Sequence, residues 1–322
     1  MTRTEEFEEL RPLLFSIAYR ILGSVTEAED AVQECWLRYQ AAAAEPRSAK
    51  AFLSAAVTRI SIDVLRSARV RREQYVGQWF PEPLLTDPYQ DPERSAELAD
   101  SVSMAALLLL ERLSPLERAV FVLREVFGFS FPEVAEAVGR SETACRQLGS
   151  RARRHMDAGQ PRFTADRRDR EQLAERFFGA LWTGDVDGLR ELLAADVQLV
   201  GDGGGQAPQF ARVIAGADQV ARLLGTQFPL LGLVDVTLAS QPVNGQPGAI
   251  LRDRDGRVLG VLVLDLAGGR VQTIRAVSNP DKLGHLGPVA DAWAVTRAAA
   301  QARPRPPRPP RPGVPRPGVP RP

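Results

Sequence analysis

Cysteine, lysine and long apolar runs are scarce in this 322-residue chain, and each scarcity removes a class of explanation. The two cysteines, Cys35 and Cys145, lie far apart, each inside a helical pattern. That excludes a disulfide framework or zinc cluster and predicts a reduced, cytoplasmic protein without metal or cofactor. No run approaches the roughly 18 apolar residues that a bilayer span requires, so no membrane partner is expected. The first residues, Met1-Thr2-Arg3-Thr4-Glu5-Glu6, begin an acidic helix pattern and lack the apolar core of a signal peptide. Lysine occurs only at Lys50 and Lys282, so nearly all positive charge is arginine. Arginine forks match phosphate and guanine edges better than lysine does. A net charge of +1 hides clustering of those arginines along the chain.

What is present divides into segments. Residues 1–75 carry helical patterning without strand-like alternation. Residues 76–100 are punctuated by Pro81, Pro83, Pro88 and Pro92, lean acidic, and read as a linker. Helical patterning returns over 101–158 and ends in Arg151-Ala-Arg-Arg154. Residues 168–286 begin with helices and end with β-rich runs, Val258–Leu264 and Val271–Val277, separated by Asp255-Gly256 and Gly268-Gly269 turn signals. Helices followed by strands predict an α+β domain. A tail, 287–322, becomes an alternation of Arg and Pro from about 303, which cannot build a core and reads as disordered.

In the first segment, Thr26-Glu-Ala-Glu29 has the form of a capping box and predicts a helix start at Thr26. Ala28, Ala31, Val32, Cys35 and Tyr39 then form an apolar stripe, with Asp30, Gln33, Glu34 and Leu37 on another face. That acidic face suits either a basic partner helix or plain solvent. A later helix carries Arg59, Asp63, Arg66, Arg69, Arg71 and Arg72 beside apolar Ile60, Ile62, Val64 and Leu65. Clustered cations near aromatic Tyr75 and Trp79 suit a nucleic-acid surface.

The second helical segment contains two strong helix starts, Ser114-Pro-Leu-Glu117 and Ser130-Phe-Pro-Glu133. Gly139 stops the second of these helices, and Ser141 caps a third running to about His155. Helix, glycine turn, helix is the helix-turn-helix arrangement, whose second helix enters the major groove. Small Thr143 and Ala144 permit close approach, and Arg146 and Gln147 can make forked bonds to base edges. Arg140 and Ser141 lie at the entry to this helix, while Arg151, Arg153 and Arg154 suit phosphates.

Asp30–Arg38 resembles the core-polymerase-binding region of sigma factors, Thr58–Arg69 their −10-element region, and 101–158 their −35-reading domain. No room is left for an intermediate domain, the layout of the extracytoplasmic-function type. The resemblance implies that Asp30, Gln33 and Glu34, with Leu37 on their face, grip the polymerase, while Trp36 is core. The implied partners are core RNA polymerase and promoter DNA, and the implied activity is promoter recognition and strand opening without covalent chemistry by this chain.

Residues 168–286 resemble the SnoaL-like, NTF2-like cone, with Phe177, Phe178, Leu181 and Trp182 as core of its first helix. Asp202-Gly203-Gly204-Gly205, Asn279-Pro280-Asp281-Lys282-Leu283 and the linker string Tyr75–Pro83, with Trp79 and Pro81, resemble the sigma-J-like group with a fused C-terminal domain. This implies docking surfaces and regulation in cis. Gln206 stands where that group usually has lysine. Related cones include isomerases and cyclases, and Asp196, Asp202 and Asp265 are the available bases; with one histidine, His285, and no tyrosine there, catalysis is not the expectation. A small apolar ligand in the cone is a further expectation. A ligand-sensing helix-turn-helix regulator is the alternative to a sigma factor.

Overall fold

A capping box opens the first helix: the Thr2 hydroxyl accepts from the Glu5 amide, and the Thr2 amide donates to the Glu5 carboxylate. The computed structural model describes residues 2–303 except 45, 74, 92, 94, 158–166 and 209–212, so the Arg–Pro tail lies outside the described residues. Helix α1 (Arg3–Leu22) ends at Gly23, whose φ of 70° suits glycine alone at low cost. Helices α2 (Val25–Ala41) and α3 (Ala49–Glu73) complete a three-helix body.

The start of α2 corrects the Thr26 expectation. The cap is Ser24, whose hydroxyl accepts from the Glu27 amide at 3.0 Å. The amides of Val25 and Thr26 instead donate to the Glu82 carboxylate at 2.8 and 3.1 Å. The helix thus starts two residues earlier, at the overlapping Ser24-Val-Thr-Glu27 pattern, and a carboxylate from far along the chain satisfies two further amides that no local pattern registers. The stripe Ala28, Ala31, Val32, Cys35 and Tyr39 is buried as its spacing requires. Both cysteines are buried and free.

The second helical body contains α4 (Ser95–Ser101), α5 (Met104–Leu110), α6 (Pro115–Phe121), a π-turn over Val122–Val126, α7 (Phe131–Val138) and α8 (Glu142–Asp157). Both expected capping boxes form, at Ser114 with Glu117 and at Ser130 with Glu133. Gly139 ends α7 at φ 64°. One continuous apolar core joins the two helical bodies, with α3 packed against α6 and α7.

The third body starts with α9 (Arg167–Thr183) and α10 (Val186–Leu192), followed by β1 (Leu193–Asp202) and β2 (Ile214–Ala215). Then come α11 (Ala217–Gly232), β3 (Thr237–Val243), β4 (Gln246–Arg252), β5 (Val258–Ala267), β6 (Arg270–Val277) and α12 (Ala292–Ala302). The sheet order is β2-β1-β6-β5-β4-β3, antiparallel except for the β1–β6 pair. This is the expected α+β body. Strand β5 is buried along both faces. One face joins Phe177, Leu181 and Leu224 of the helices. The other joins Val243, Ile250 and Val277 to Phe80 of the linker and Met104 of α5.

Candidate nucleic-acid interface and interdomain junction

On α2, the face opposite the core leaves Asp30, Gln33 and Leu37 in solvent, with Glu34 half-exposed and paired to Arg38 at 2.9 Å. Leu37 is 58% exposed, an uncovered apolar side chain amid polar neighbours. Trp36 turns inward against Phe7 and Tyr39, as expected of core.

On α3, Asp63 and Arg66 are exposed and pair with each other at 3.2 Å. The backbone of Arg69, Arg71 and Arg72 belongs to α3, but their side chains lie outside the described residues. Arg59 points at the second helical body: its Nε donates to the Ala137 carbonyl at 2.9 Å and its Nη2 to the Glu136 carbonyl at 2.5 Å. Those carbonyls belong to the last turn of α7, where a cation meets unsatisfied acceptors and the negative end of the helix dipole. Among the described residues, the Tyr75 and Trp79 rings both lie against Lys282, 4.6 and 4.4 Å from its ammonium.

Helix α8 stands free along its leading edge. Arg140, Ser141, Thr143, Arg146 and Gln147 are exposed, and Ala144 is half-buried. The Ser141 hydroxyl accepts from the Ala144 amide at 3.3 Å, so the cap forms where the pattern put it. Arg146 lies over the Phe131 ring at 4.4 Å and reaches Glu142 at 3.4 Å. Arg151 pairs with Glu117 at 2.9 Å and Arg153 with Glu125 at 2.5 Å, while Arg154 donates to its own helix. The arginines of these pairs are all more than half exposed. Such pairs are worth under ~1 kcal/mol each and exchange readily for phosphate.

The glycine-rich and Asn-Pro-Asp strings meet the linker at one buried cluster. The Asp202 carboxylate is fully buried and accepts from the Tyr75 hydroxyl at 2.5 Å, the Phe80 amide at 2.8 Å, the Gly204 amide at 3.1 Å and Lys282 Nζ at 2.7 Å. Lys282 Nζ also donates to the Phe80 carbonyl at 2.5 Å. Asn279 Nδ2 donates to the Tyr75 hydroxyl at 2.6 Å, and the Asn279 amide to the Asp202 carbonyl at 3.1 Å. Burial, reinforced by Asp202, pushes the Tyr75 phenol up, so the ring stays neutral and donating. Gly204 and Gly205 have φ of 58° and 73°, and a side chain on Gly204 would collide with Asn279. Gly203 accepts from the Gln206 and Ala207 amides, closing the turn. Gln206 Nε2 donates to Asp281 Oδ2 at 2.5 Å, a neutral donor beside the Asn-Pro-Asp turn. Pro280 opens a 3-10 turn, while Leu283 and Pro81 are buried.

Residues 7–71 match the family Sigma-70 region 2, and residues 103–156 match Sigma-70, region 4. Across 296 residues the chain is 39% identical to the ECF RNA polymerase sigma factor SigJ of Mycobacterium tuberculosis, covering 86% of this chain and 92% of that one. The chain belongs to the ECF RNA polymerase sigma factors. It is also 32% identical over 279 residues to a probable ECF sigma factor, SigI, of the same organism, covering 86% and 93% of the two chains. The crystal structure of Mycobacterium tuberculosis SigJ superposes with a TM-score of 0.67 at 35% identity, covering 87% of this chain and 98% of that one. This sigma factor is thus an initiation factor, not an enzyme. Of the three carboxylates considered as bases, Asp202 is engaged by the linker, Asp265 is paired with Arg275, and Asp196 lies in solvent.

Sequence reasoning missed three anchors of this sigma factor. Glu82 accepts from the first amides of α2, beside the Ser24 cap. Arg20 of α1, wholly buried, binds Asp87 at 2.8 Å, Ser101 at 2.8 Å and the Leu98 carbonyl at 2.9 Å. Asn244, at the β3–β4 turn, reaches across to both helical bodies. Only the last had a local signal: Asn-Gly between alternating runs is a strong hairpin marker.

Proposed function

We propose that this sigma factor docks on core RNA polymerase through Asp30, Gln33, Glu34 and Leu37, and reads the −35 element with Arg140, Ser141, Thr143, Ala144, Arg146 and Gln147. In this reading Arg151, Arg153 and Arg154 hold phosphates, while Asp63, Arg66, Arg69, Arg71, Arg72 and, once released, Arg59 serve the −10 element. The protein works in the cytoplasm, where its partner polymerase acts. Its C-terminal domain controls it in cis by holding regions 2 and 4 together.

The observation that carries this is the packing of α3 against α7, with Arg59 fixed to the Ala137 and Glu136 carbonyls. Elements centred near −10 and −35 are about 25 base pairs apart, on the order of 85 Å of duplex at 3.4 Å per step. Two readers in direct contact cannot span that distance, so promoter engagement requires them to part. The buried cluster around Asp202 and Lys282 ties the intervening linker to the third domain and opposes that parting.

The test is reconstitution of full-length protein with core polymerase on a promoter library. Promoter-dependent transcripts only in the presence of core are expected, and Asp30→Ala with Gln33→Ala should abolish binding to core while the fold is kept. Tight binding to duplex promoter DNA by the protein alone, with no gain from core, would point to the helix-turn-helix regulator instead. For the small apolar ligand, the candidate is the open groove of about 650 Å³ beside Phe178, Trp182 and Leu238. Binding of a hydrophobic dye that is lost in Trp182→Ala is the expected outcome; equal binding by both proteins would remove this candidate.

A further inference from the structure

We propose that Asn244, at the tip of the β3–β4 hairpin, is the positioning residue through which the third domain fixes regions 2 and 4 relative to each other. The inference deepens the cis-control reading above and rests on it for its functional meaning.

A hairpin tip is normally a solvent-facing place, and Asn244 is there for its backbone alone in an ordinary type I′ turn. Its φ of 52° and the 66° of Gly245 are that turn. Yet Asn244 is 1% exposed. Its carboxamide is used completely, and by three separate parts of the chain. Oδ1 accepts from the Leu84 amide of the linker at 3.0 Å. Nδ2 donates to the Tyr19 hydroxyl of region 2 at 2.7 Å and to the Val102 carbonyl, next to the region 4 boundary, at 3.0 Å. The Asn244 amide adds a bond to the Leu84 carbonyl at 2.7 Å.

The neighbours extend the same contact. Tyr19, itself wholly buried, passes the chain on by donating to the Glu82 carbonyl at 2.7 Å. Burial pushes its phenol up, which keeps the hydroxyl neutral and able both to accept and to donate. Two residues along, Gln246 Oε1 accepts from the Met104 amide at 2.8 Å, while its Nε2 donates to Asp265 at 2.5 Å. The hairpin therefore reads the chain on both sides of Ser103, the cap of α5.

The consequence is a three-part condition. With region 2, the linker and region 4 all in place, each polar atom of the carboxamide is satisfied. If any one withdraws, a buried amide group loses its partner, which is costly where water is excluded. The three parts are thus coupled through one side chain and should separate together.

Full-length protein carrying Glu9→Cys and Ser150→Cys, both exposed positions, reports the distance between the two helical bodies by fluorescence energy transfer; the native cysteines are buried. Asn244→Gly keeps the turn and deletes the carboxamide. Asn244→Asp keeps the acceptor and loses both donors. Each should shift the closed-to-open ratio by roughly ten-fold or more, as expected when a buried amide loses its partners. Asp255→Gly, in the exposed β4–β5 turn, should leave it unchanged. Should Asn244→Gly impair folding, Tyr19→Phe removes the same bond from the opposite side and should shift the ratio in the same direction. An unchanged distance distribution in Asn244→Gly, or in Tyr19→Phe where that serves as substitute, overturns the proposal. If the distance moves while transcription with core polymerase does not, the positioning role stands and the cis-control reading fails.

Discussion

Helix α8 and the linker from Tyr75 to Asp91 are both rich in polar groups, and the fold treats them in opposite ways. In α8 the arginines stay in water and pair loosely with Glu142, Glu117 and Glu125. In the linker, Phe80 to Leu84 are all buried, and polar groups there are matched to partners on other bodies. Loose pairing suits a surface that must exchange its partners for DNA. Tight, dry pairing suits a surface that must hold or release as a unit.

The hardest blow to this contrast is Lys282→Ala. It leaves the Asp202 carboxylate buried without its cation and should cost ~3–5 kcal/mol in urea unfolding. Arg151→Ala, at an exposed pair on α8, should cost under ~1 kcal/mol. Equal losses would erase the distinction. Gly204→Ala comes next: forcing a side chain to φ 58° against Asn279 should destabilise by about 3 kcal/mol, read from the same unfolding curves. Arg146→Ala should leave stability unchanged yet cost ~1–3 kcal/mol of discrimination at one −35 base pair. A uniform loss on every sequence would make it a phosphate contact.

The smallest effect is on pH. Ser130, through its hydroxyl and amide, holds the Glu133 carboxyl below its ordinary 4.5. Glu117 is also lowered, its partial burial outweighed by bonds from Ser114 and by Arg151. Carboxyls lowered on folding contribute stability above their unfolded values and lose it as pH falls through the folded ones. Region 4 should therefore weaken in acid below about pH 4.5, and Glu133→Gln should flatten that dependence in thermal melts, while the buried junction follows the same curve in both proteins.

Helices whose caps are local were legible: Ser114 with Glu117, Ser130 with Glu133, and Gly139 after α7 needed nothing beyond neighbouring residues. The exposed faces of α2 and α8 followed from the apolar stripes opposite them. The start of α2 was misread because two capping patterns overlap, Ser24-x-x-Glu27 and Thr26-x-x-Glu29, and the bonds from Glu82 that add to the first come from another part of the chain. Prolines marked residues 76–100 as irregular and said nothing of burial, and within that stretch Ser95–Ser101 form a helix. The role of Tyr75 and Trp79 was visible only through the family strings, since aromatics near arginines also describe a base-stacking surface. The reach of Asn244 depends on three distant segments arriving at one turn, which no spacing encodes.

Strand β5 leaves one further mark on the behaviour of the chain. Its second face, with Val243, Ile250, Val261, Val263 and Val277, is kept dry by Phe80 and Met104, which do not belong to the sheet's own body. Lifting the readers away would expose a valine-rich plate to water unless something else lay over it, and such a plate favours association. A partner that covered this face would stabilise the extended state by mass action.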